Sequence, residues 1–318
     1  MAGDCAFRRY TRRMESASIG IFDSGLGGLT VAREIARALP HESLLYLGDT
    51  ARCPYGPRDL AEVRRFVAEI GSWLSARDVK LIVIACNTAT AAGLELAQRS
   101  FDVPVIGVVE PGARAAVMAT RNRSVGVIGT SGTIESGAYS RAVRAFDAGV
   151  TVFSAATPRF VDIVEEGLRR DSGAVEDVLA DASDVFIRPS FYELARDYLD
   201  PLKRSGVDTL VLGCTHFPML STAIGQVMGS GVEIISSAAE TAREVADTLG
   251  RRGQLVDGNH QVHHRFATTG DPTEFARLGS RVLGADIGEV ESVELTELAT
   301  LPSARALELI GTEEAACA

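Results

Sequence analysis

The sequence is short of positive charge and has no long apolar segment. Its 318 residues carry 42 Asp and Glu against 32 Lys and Arg, a formal net charge of -10. Nucleic-acid binding needs clustered Lys and Arg that neutralise phosphates, so no nucleic acid is expected as the primary ligand. The basic N-terminal stretch is not followed by the apolar core of a signal peptide, and no later run approaches the ~18 apolar residues of a membrane span. We therefore expect a cytoplasmic protein without a membrane segment.

The sequence also lacks paired cysteines. Its five cysteines are Cys5, Cys53, Cys86, Cys214 and Cys317. They are scattered, odd in number and without Cys-x-x-Cys spacing, which indicates neither a disulfide framework nor a zinc knuckle. Reduced thiols are expected, and no metal site is predicted.

Short apolar runs alternate with helix-period segments from Ile19 onward, as is typical of parallel sheets flanked by helices. The segment SIGIFDSG from Ser18 resembles SVGVIGTSG from Ser124, and DVKLIVIACNT from Asp78 resembles GVDTLVLGCTH from Gly206. Generic strands resemble one another by chance, but a cysteine occupies the same place in the second pair. We predict an α/β protein of two pseudo-symmetric lobes. Each lobe is a mostly parallel sheet flanked by helices, with the active site in the cleft between them.

Polar side chains follow the predicted strands at their carboxyl ends, where ligands bind in open α/β sheets. Asp23 and Ser24 follow the first apolar run, Cys86 follows LIVIA, and Cys214 and His216 follow TLVLG. If the two lobes face each other across a cleft, the two cysteines approach one small ligand from opposite sides.

Two opposed thiols suit the inversion of a stereocentre that carries a hydrogen. One base removes the proton from one face and an acid returns it on the other, and reversibility makes each group play both parts. A thiol has a reference pKa of ~8.5, so its thiolate is accessible near neutral pH with modest tuning. The candidate assistants are Asp23 for Cys86 and His216 for Cys214. Candidate donors to the enediolate that such a reaction forms are Ser24, Asn87, Thr88 and Thr215.

The scarcity of lysine argues against pyridoxal phosphate as the agent of such an inversion. Pyridoxal enzymes hold their cofactor through a lysine Schiff base, and the chain has only Lys80 and Lys203. Lys80 precedes the strand that ends near Cys86, at the opposite edge of the sheet from the proposed site, and Lys203 sits in the matching approach to the second strand. No cofactor is therefore predicted.

Seven motifs carry a resemblance to a known family, and they occur in the order FDSGLGGLTV, GDTARCPYG, ACNTAT, VIGTSGTIES, FVDIVEEG, VLGCTHFPML and TGDP. From Ile19 to about Glu294, the chain resembles the glutamate racemases of the cofactor-independent aspartate/glutamate racemase family. The resemblance implies a homodimer that interconverts L- and D-glutamate and supplies D-glutamate for peptidoglycan synthesis. Relatives that act on aspartate usually carry a glutamate after the Cys-Thr pair, whereas this chain has His216, which favours glutamate.

The resemblance also implies roles for individual residues. The implied catalytic residues are Cys86, Cys214, Asp23, His216 and Glu165. Cys86 is implied as the base towards D-glutamate and Cys214 as the base towards L-glutamate. The residues implied to hold the substrate are Ser24, Pro54, Tyr55, Gly56, Asn87, Thr88, Thr130, Thr133 and Thr215. Cys53 stands where the family usually has an apolar residue, and we interpret it as a tolerated neighbour of the substrate loop.

The first lobe is expected to come from two separated parts of the chain, again by resemblance. The expected divisions are a flexible N-terminal extension over 1–18, lobe one over 19–109 plus 237–296, lobe two over 110–236 with an insertion near 171–192, and a C-terminal tail over 297–318.

Three other functions fit parts of the sequence. The nearest is a family member that acts on aspartate or another 2-substituted acid. A two-lobed amino-acid-binding protein would use the cysteines only structurally. A thiol redox protein would switch Cys86 and Cys214 between thiols and a disulfide, although it would lack the usual Cys-x-x-Cys pair.

Overall fold

The computed structural model describes residues 17–170, 189–258, 260–302 and 310. These residues form two β-sheets in which every strand pairing is parallel. The predicted α/β fold of two lobes is confirmed. The expected extension over 1–18, the insertion near 171–192 and the tail over 297–318 lie largely outside the described residues.

The two sheets have related strand orders. In chain order the strands are β1 (Ile19–Asp23), β2 (Leu44–Gly48), β3 (Leu81–Ile84), β4 (Val105–Gly107), β5 (Ser124–Gly129), β6 (Thr151–Ala156), β7 (Thr209–Gly213), β8 (Glu233–Ser236), β9 (Arg265–Thr268) and β10 (Val290–Ser292). The first sheet has the order β10-β9-β2-β1-β3-β4, and the second has the order β6-β5-β7-β8. The second sheet thus repeats four strands of the first, with β5 in the place of β1 and β7 in the place of β3. The segments that resemble each other in sequence therefore occupy equivalent positions.

Helices connect the parallel strands, as this topology requires. They are α1 (Leu29–Ala38), α2 (Leu60–Ser75), α3 (Asn87–Ser100), α4 (Val109–Ala119), α5 (Ser131–Glu135), α6 (Ala138–Phe146), α7 (Arg159–Arg170), α8 (Pro189–Arg204), α9 (Ser221–Met228), α10 (Ser237–Arg251), α11 (Pro272–Leu283) and α12 (Leu295–Thr300). Single 3₁₀ turns cover Thr50–Arg52 and Phe217–Leu220. Within the described residues, none of the helices combines the length and the apolar composition that crossing a membrane would take.

The central strands are apolar along their whole length because both faces of the sheet are covered. In β1, Ile19 and Ile21 share a core cluster with Ile35 of α1, whereas Phe22 belongs to the cluster on the other face with Val67 of α2. This alternation follows from the two-residue period of a strand. Continuous apolar runs in the sequence therefore mark buried strands here, and their ends mark one edge of a sheet.

The first sheet draws its strands from two separated parts of the chain. Strands β1 to β4 lie between residues 19 and 107 and β9 to β10 between 265 and 292, whereas the second sheet lies within 124–236. This distribution is compatible with the expected lobe boundaries, which themselves stay predictions. Glu297 of α12 accepts a hydrogen bond from Nε1 of Trp73 at 3.0 Å. The segment expected to be a tail from residue 297 therefore begins within a helix that packs on the first lobe.

A buried ion pair joins the amino ends of β2 and β3. Nζ of Lys80 lies 2.6 Å from Oε2 of Glu42, and the two side chains are 0% and 2% exposed. Nζ also donates to the carbonyl of Gln254 at 2.8 Å, and the N–H of Val256 donates to Oε1 of Glu42 at 3.0 Å. A buried charge is tolerated only when it is paired and hydrogen-bonded. Lys80 is therefore a structural residue that ties the two strands to the chain after α10.

We predict that Lys80→Met lowers the free energy of unfolding by about 3–5 kcal/mol, because it leaves the Glu42 carboxylate buried without its cation. Urea denaturation at pH 7 measures the change. Lys203→Met is the matched control, because Lys203 is exposed and donates to the carbonyl of Val227 at 3.0 Å. Equal losses in the two variants would contradict a special role for the buried pair.

Candidate active site

A cavity of about 140 Å³ lies between the lobes, where the carboxyl ends of strands from both sheets meet. Its walls come from the segments that follow β1, β2 and β3 on one side and β5, β6 and β7 on the other. The lining residues are Asp23, Ser24, Cys53, Pro54, Tyr55, Gly56, Pro57, Cys86, Asn87, Thr88, Thr130, Ser131, Pro158, Val161, Asp162, Cys214, Thr215 and His216. Two thiols from equivalent strands of the two sheets thus share one cavity.

Cys86 lies between β3 and α3, where it caps the helix. Its Sγ accepts a hydrogen bond from the N–H of Ala89 at 3.5 Å and lies 4.0 Å from Oγ of Ser24. Burial raises the pKa of the Cys86 thiol, and the nearby Asp23 carboxylate raises it further. The resting state of Cys86 is therefore the protonated thiol.

Cys214 heads a chain of four functional groups. Its Sγ lies 3.7 Å from Nδ1 of His216, and Nε2 of the same ring lies 3.4 Å from Oε1 of Glu165. The second contact is an ion pair, and among the described residues Nε2 has no hydrogen-bond partner. Arg169 donates to the other carboxylate oxygen of Glu165 at 3.0 Å. The order from the cavity outwards is thiol, imidazole, carboxylate and guanidinium.

The charges along this chain support one another. Burial lowers the pKa of His216, but its contacts with Cys214 and Glu165 outweigh burial and hold that pKa well above its ordinary value. Burial raises the pKa of Glu165, whereas His216 and Arg169 bring it down to about 2. His216 is therefore an imidazolium next to an ionised Glu165, and its positive charge can stabilise a negative charge on the sulfur of Cys214.

Asp23 ends β1 and faces the cavity from the Cys86 side. Its Oδ2 accepts hydrogen bonds from the N–H groups of Gly28 at 2.7 Å and Gly25 at 3.3 Å. Gly28 is required for this approach, because a Cβ there would lie 2.4 Å from the Cβ of Asp23. Burial raises the pKa of Asp23, although His216 and the backbone amides oppose the rise. Among the described residues, Oδ1 has no hydrogen-bond partner.

Asn87 begins α3 and presents an amide to the cavity. Its Oδ1 accepts a hydrogen bond from the hydroxyl of Tyr139 at 2.8 Å, which fixes the orientation of the amide. Within the described part of the chain, the buried Nδ2 has no partner. The Nδ2 donor is therefore available to an anionic or carbonyl group of a ligand.

Three threonine hydroxyls form a triangle across the two lobes. Oγ1 of Thr88 lies 2.9 Å from Oγ1 of Thr130 and 3.3 Å from Oγ1 of Thr133, and the hydroxyl of Thr130 donates to Thr133 at 3.0 Å. Thr130 also caps α5 by accepting from the N–H of Thr133 at 3.3 Å. The triangle fixes the hydroxyls of Thr88 and Thr130 at the cavity wall.

The loop after β2 is held from behind by Asp49. The hydroxyl of Tyr55 donates to Oδ2 of Asp49, and Nε of Arg52 donates to the same oxygen at 2.7 Å. Oδ1 of Asp49 accepts from Thr269 at 2.8 Å. The Tyr55 hydroxyl thus donates its hydrogen bond to Asp49. The bonds to Asp49 hold the loop in a fixed position in the cavity wall.

The structure brings the residues expected at the site together, apart from two that lie one contact further out. Glu165 stands behind His216, and Thr133 stands behind Thr88 and Thr130. The wall also contains Cys53, Pro57, Ser131, Pro158, Val161 and Asp162, which the sequence did not assign to the site. Their places after β2 and β5 could have suggested the first three. The last three lie at or near α7, and the FVDIVEEG motif of that helix had implied only Glu165 as a site residue.

Neither lysine lines the cavity. Lys80 pairs with Glu42, and Lys203 donates to the carbonyl of Val227. The described residues also contain no group of three or more His, Cys, Asp or Glu side chains that could hold a metal ion.

Known proteins resemble this chain over most of its length, and not only in the motifs. The profile of the Asp/Glu/Hydantoin racemase family matches residues 19–245. A glutamate racemase of Bacillus cereus is 46% identical over 278 residues, which cover 87% of this chain and 97% of the relative. The crystal structure of a glutamate racemase isoform from Bacillus anthracis is 43% identical with a TM-score of 0.79, covering 88% of this chain and 98% of that one.

A third relative carries a ligand. The glutamate racemase of Francisella tularensis, solved in complex with D-glutamate, is 30% identical with a TM-score of 0.77, and the match covers 88% of this chain and 98% of that one. The family profile, the sequence identity and the shared fold agree with the motifs, and the chain belongs to the Asp/Glu/Hydantoin racemase family.

Proposed function

We propose that this protein is a glutamate racemase that interconverts L- and D-glutamate by proton transfer between Cys86 and Cys214, without a cofactor. The observation that carries the proposal is that two thiols from equivalent strands of two lobes line one small cavity. The names of the relatives, among them a racemase solved with D-glutamate, support glutamate as the substrate.

In the proposed reaction, L-glutamate binds with its α-carbon between the two sulfurs. The Cys214 thiolate takes the α-hydrogen as a proton, and the electron pair left on carbon delocalises into the α-carboxylate as an enediolate. The Cys86 thiol then donates its proton to the opposite face, which gives D-glutamate, a Cys214 thiol and a Cys86 thiolate. The reverse reaction exchanges the two roles. Proton exchange between the thiols and solvent resets the enzyme for another turnover in the same direction.

The polar groups of the site suit this chemistry. The Asn87 amide and the Thr88 hydroxyl offer preorganised hydrogen bonds to the substrate carboxylate, whose charge grows in the enediolate. The imidazolium of His216 stabilises the Cys214 thiolate that begins the reaction with L-glutamate. Asp23 has a raised pKa, and its Oδ1 has no hydrogen-bond partner among the described residues, so it is the group that can exchange a proton on the Cys86 side. The two thiols therefore have different assistants for equivalent tasks.

Cofactor independence is proposed on the same grounds. A pyridoxal mechanism needs a lysine at the reacting centre, and both lysines are engaged elsewhere in the fold, Lys80 with Glu42 and Lys203 with Val227. We further propose that the enzyme is a cytoplasmic homodimer whose D-glutamate feeds peptidoglycan synthesis. These last proposals rest on the family resemblance.

Removal of either thiol is expected to abolish racemisation. Cys86→Ala and Cys214→Ala should each lower kcat by at least about a thousandfold, because each thiol is one of the two proton-transfer groups. Polarimetry of the quenched solution, starting from one pure enantiomer, measures the rate. Wild-type activity in either variant would contradict the two-thiol mechanism.

Substrate choice is tested by isotope exchange. In D2O, the wild-type enzyme should place deuterium at the α-carbon of both L- and D-glutamate and leave aspartate unlabelled, as proton NMR of the amino acids would show. Labelling of aspartate instead would identify the rival racemase. Glutamate binding without any α-exchange would identify an amino-acid-binding protein. Loss of activity through a reversible Cys86–Cys214 disulfide, without α-exchange in the reduced state, would identify a redox protein.

Asn87→Ala should lower kcat/KM for glutamate by about 10- to 150-fold, the value of one hydrogen bond to a charged group. Initial rates over a range of glutamate concentrations measure the change. Asn122→Ala is the matched control, because Asn122 lies outside the cavity wall and donates to the carbonyl of Gly206 at 2.8 Å. An Asn87 variant that behaves like the control would contradict a role of the amide in substrate binding.

A further inference from the structure

A third thiol lies in the cavity wall and takes no part in the proposed proton transfers. Cys53 is half-buried in the loop after β2, and it lines the same cavity as Cys86 and Cys214. Its Sγ lies 3.7 Å from Oε1 of Glu165, within hydrogen-bonding distance for a sulfur donor. From the sequence, Cys53 was expected to be only a tolerated neighbour of the substrate loop.

The acceptor of this contact is an oxygen that the Cys214 side already uses. Oε1 of Glu165 faces both Sγ of Cys53 and Nε2 of His216, the latter at 3.4 Å. Oε2 of Glu165 is bound to Arg169 at 3.0 Å. Cys53 and His216 therefore contact the same negatively charged carboxylate oxygen.

Cys53 can act on that oxygen only as a donor. Burial raises the pKa of the Cys53 thiol far above its ordinary value, and the carboxylates of Glu165 and Asp23 raise it further. The thiol thus stays protonated across the pH range in which enzymes work.

The contact also crosses from one lobe to the other. Cys53 belongs to the first lobe, whereas Glu165 lies on α7, which follows β6 of the second sheet. Other contacts fasten α7 to the first lobe nearby: Arg281 donates to the carbonyl of Leu168 at 2.9 Å, and Arg169 lies 3.7 Å from Glu274. Cys53 therefore contacts Glu165, the carboxylate behind His216, at a point where other contacts already hold the two lobes together.

We propose that Cys53 is a positioning residue for the Cys214 side of the site. Its S–H holds the Glu165 carboxylate in place from across the cleft. Because the S–H donates to Oε1, this oxygen stabilises the protonated form of His216 less than it would without Cys53. His216 is then protonated and stabilises the Cys214 thiolate, but it can still exchange its proton with the sulfur. The kinetic part of this inference rests on the proposed racemase function.

The first test measures the His216 titration directly and needs no activity. Imidazole NMR of the free enzyme would follow His216 in the wild type, Cys53→Val and Cys53→Ser, with the signal assigned by its absence in His216→Gln. The groups that face His216 and Glu165 are the same in all three proteins: Cys214 and Asp23 around the imidazole, and Arg169 with Glu274 beyond the carboxylate. A shift therefore reports the changed residue.

Valine and serine separate a donor from a space-filling residue. Valine fills the space of the cysteine side chain with apolar atoms and removes the donor, whereas serine keeps a donor and is smaller. We expect the midpoint of the His216 titration to move to higher pH in Cys53→Val and to stay at or below the wild-type midpoint in Cys53→Ser. An unshifted midpoint in Cys53→Val, or equal shifts in both variants, would overturn the proposal.

Kinetics give the second test. Cys53→Val should lower kcat for glutamate by about threefold to tenfold, the range of a single hydrogen bond, with a smaller change in KM, and Cys53→Ser should recover most of the loss. Since the two enantiomers have equal free energy in water, kcat/KM must fall by the same factor in both directions. If the Cys53→Val protein does not fold, Cys53→Ala can replace it as the variant without a donor and be compared with Cys53→Ser. A wild-type enzyme that does not racemise glutamate would remove the proposed function while leaving the His216 titration as a test of Cys53.

Discussion

The meeting of two parallel sheets with their carboxyl ends facing each other is the constraint on which the rest of the structure depends. In each sheet a cysteine follows the equivalent strand, so the two thiols reach one cavity only when these ends of the sheets face each other. Contacts across the cleft hold it. The hydroxyl of Thr88 meets that of Thr130 at 2.9 Å, and the N–H of Gly132 donates to the carbonyl of Gly56 at 3.0 Å. These two bonds therefore join the lobes at or next to the cavity wall.

The internal symmetry of the backbone does not extend to the surroundings of the thiols. On one side Cys86 is buried beside a carboxylate, Asp23, and on the other Cys214 lies beside an imidazolium backed by Glu165. Each arrangement places charge in a buried site, which costs free energy unless neighbours compensate it. Paired charges compensate His216 and Glu165, and backbone amides compensate Asp23. A symmetric fold therefore gives the two thiols, which we propose to transfer protons, different electrostatic surroundings.

Sequence reasoning reached the parts of this site that depend on local pattern. Apolar runs gave the strands, and the residues after them, Cys86 and Cys214, lie at the same cavity because parallel strands share one functional edge. The return of the chain to the first sheet at β9 and β10 came from family resemblance, since periodicity carries no information about which sheet a strand joins. The contact between Cys53 and Glu165 depends on how α7 packs against the opposite lobe, and no local pattern encodes that distance.

The unpaired polar atoms of the cavity connect the fold to its proposed ligand. Buried polar groups are almost always hydrogen-bonded in folded proteins, yet among the described residues Oδ1 of Asp23 and Nδ2 of Asn87 have no partner, and both residues line this cavity. One is an acceptor and the other a donor. An amino acid carries the complementary pair on one carbon, an ammonium that donates and a carboxylate that accepts. A ligand held by both groups would have its α-carbon fixed between them, which is where a reaction at that carbon requires it.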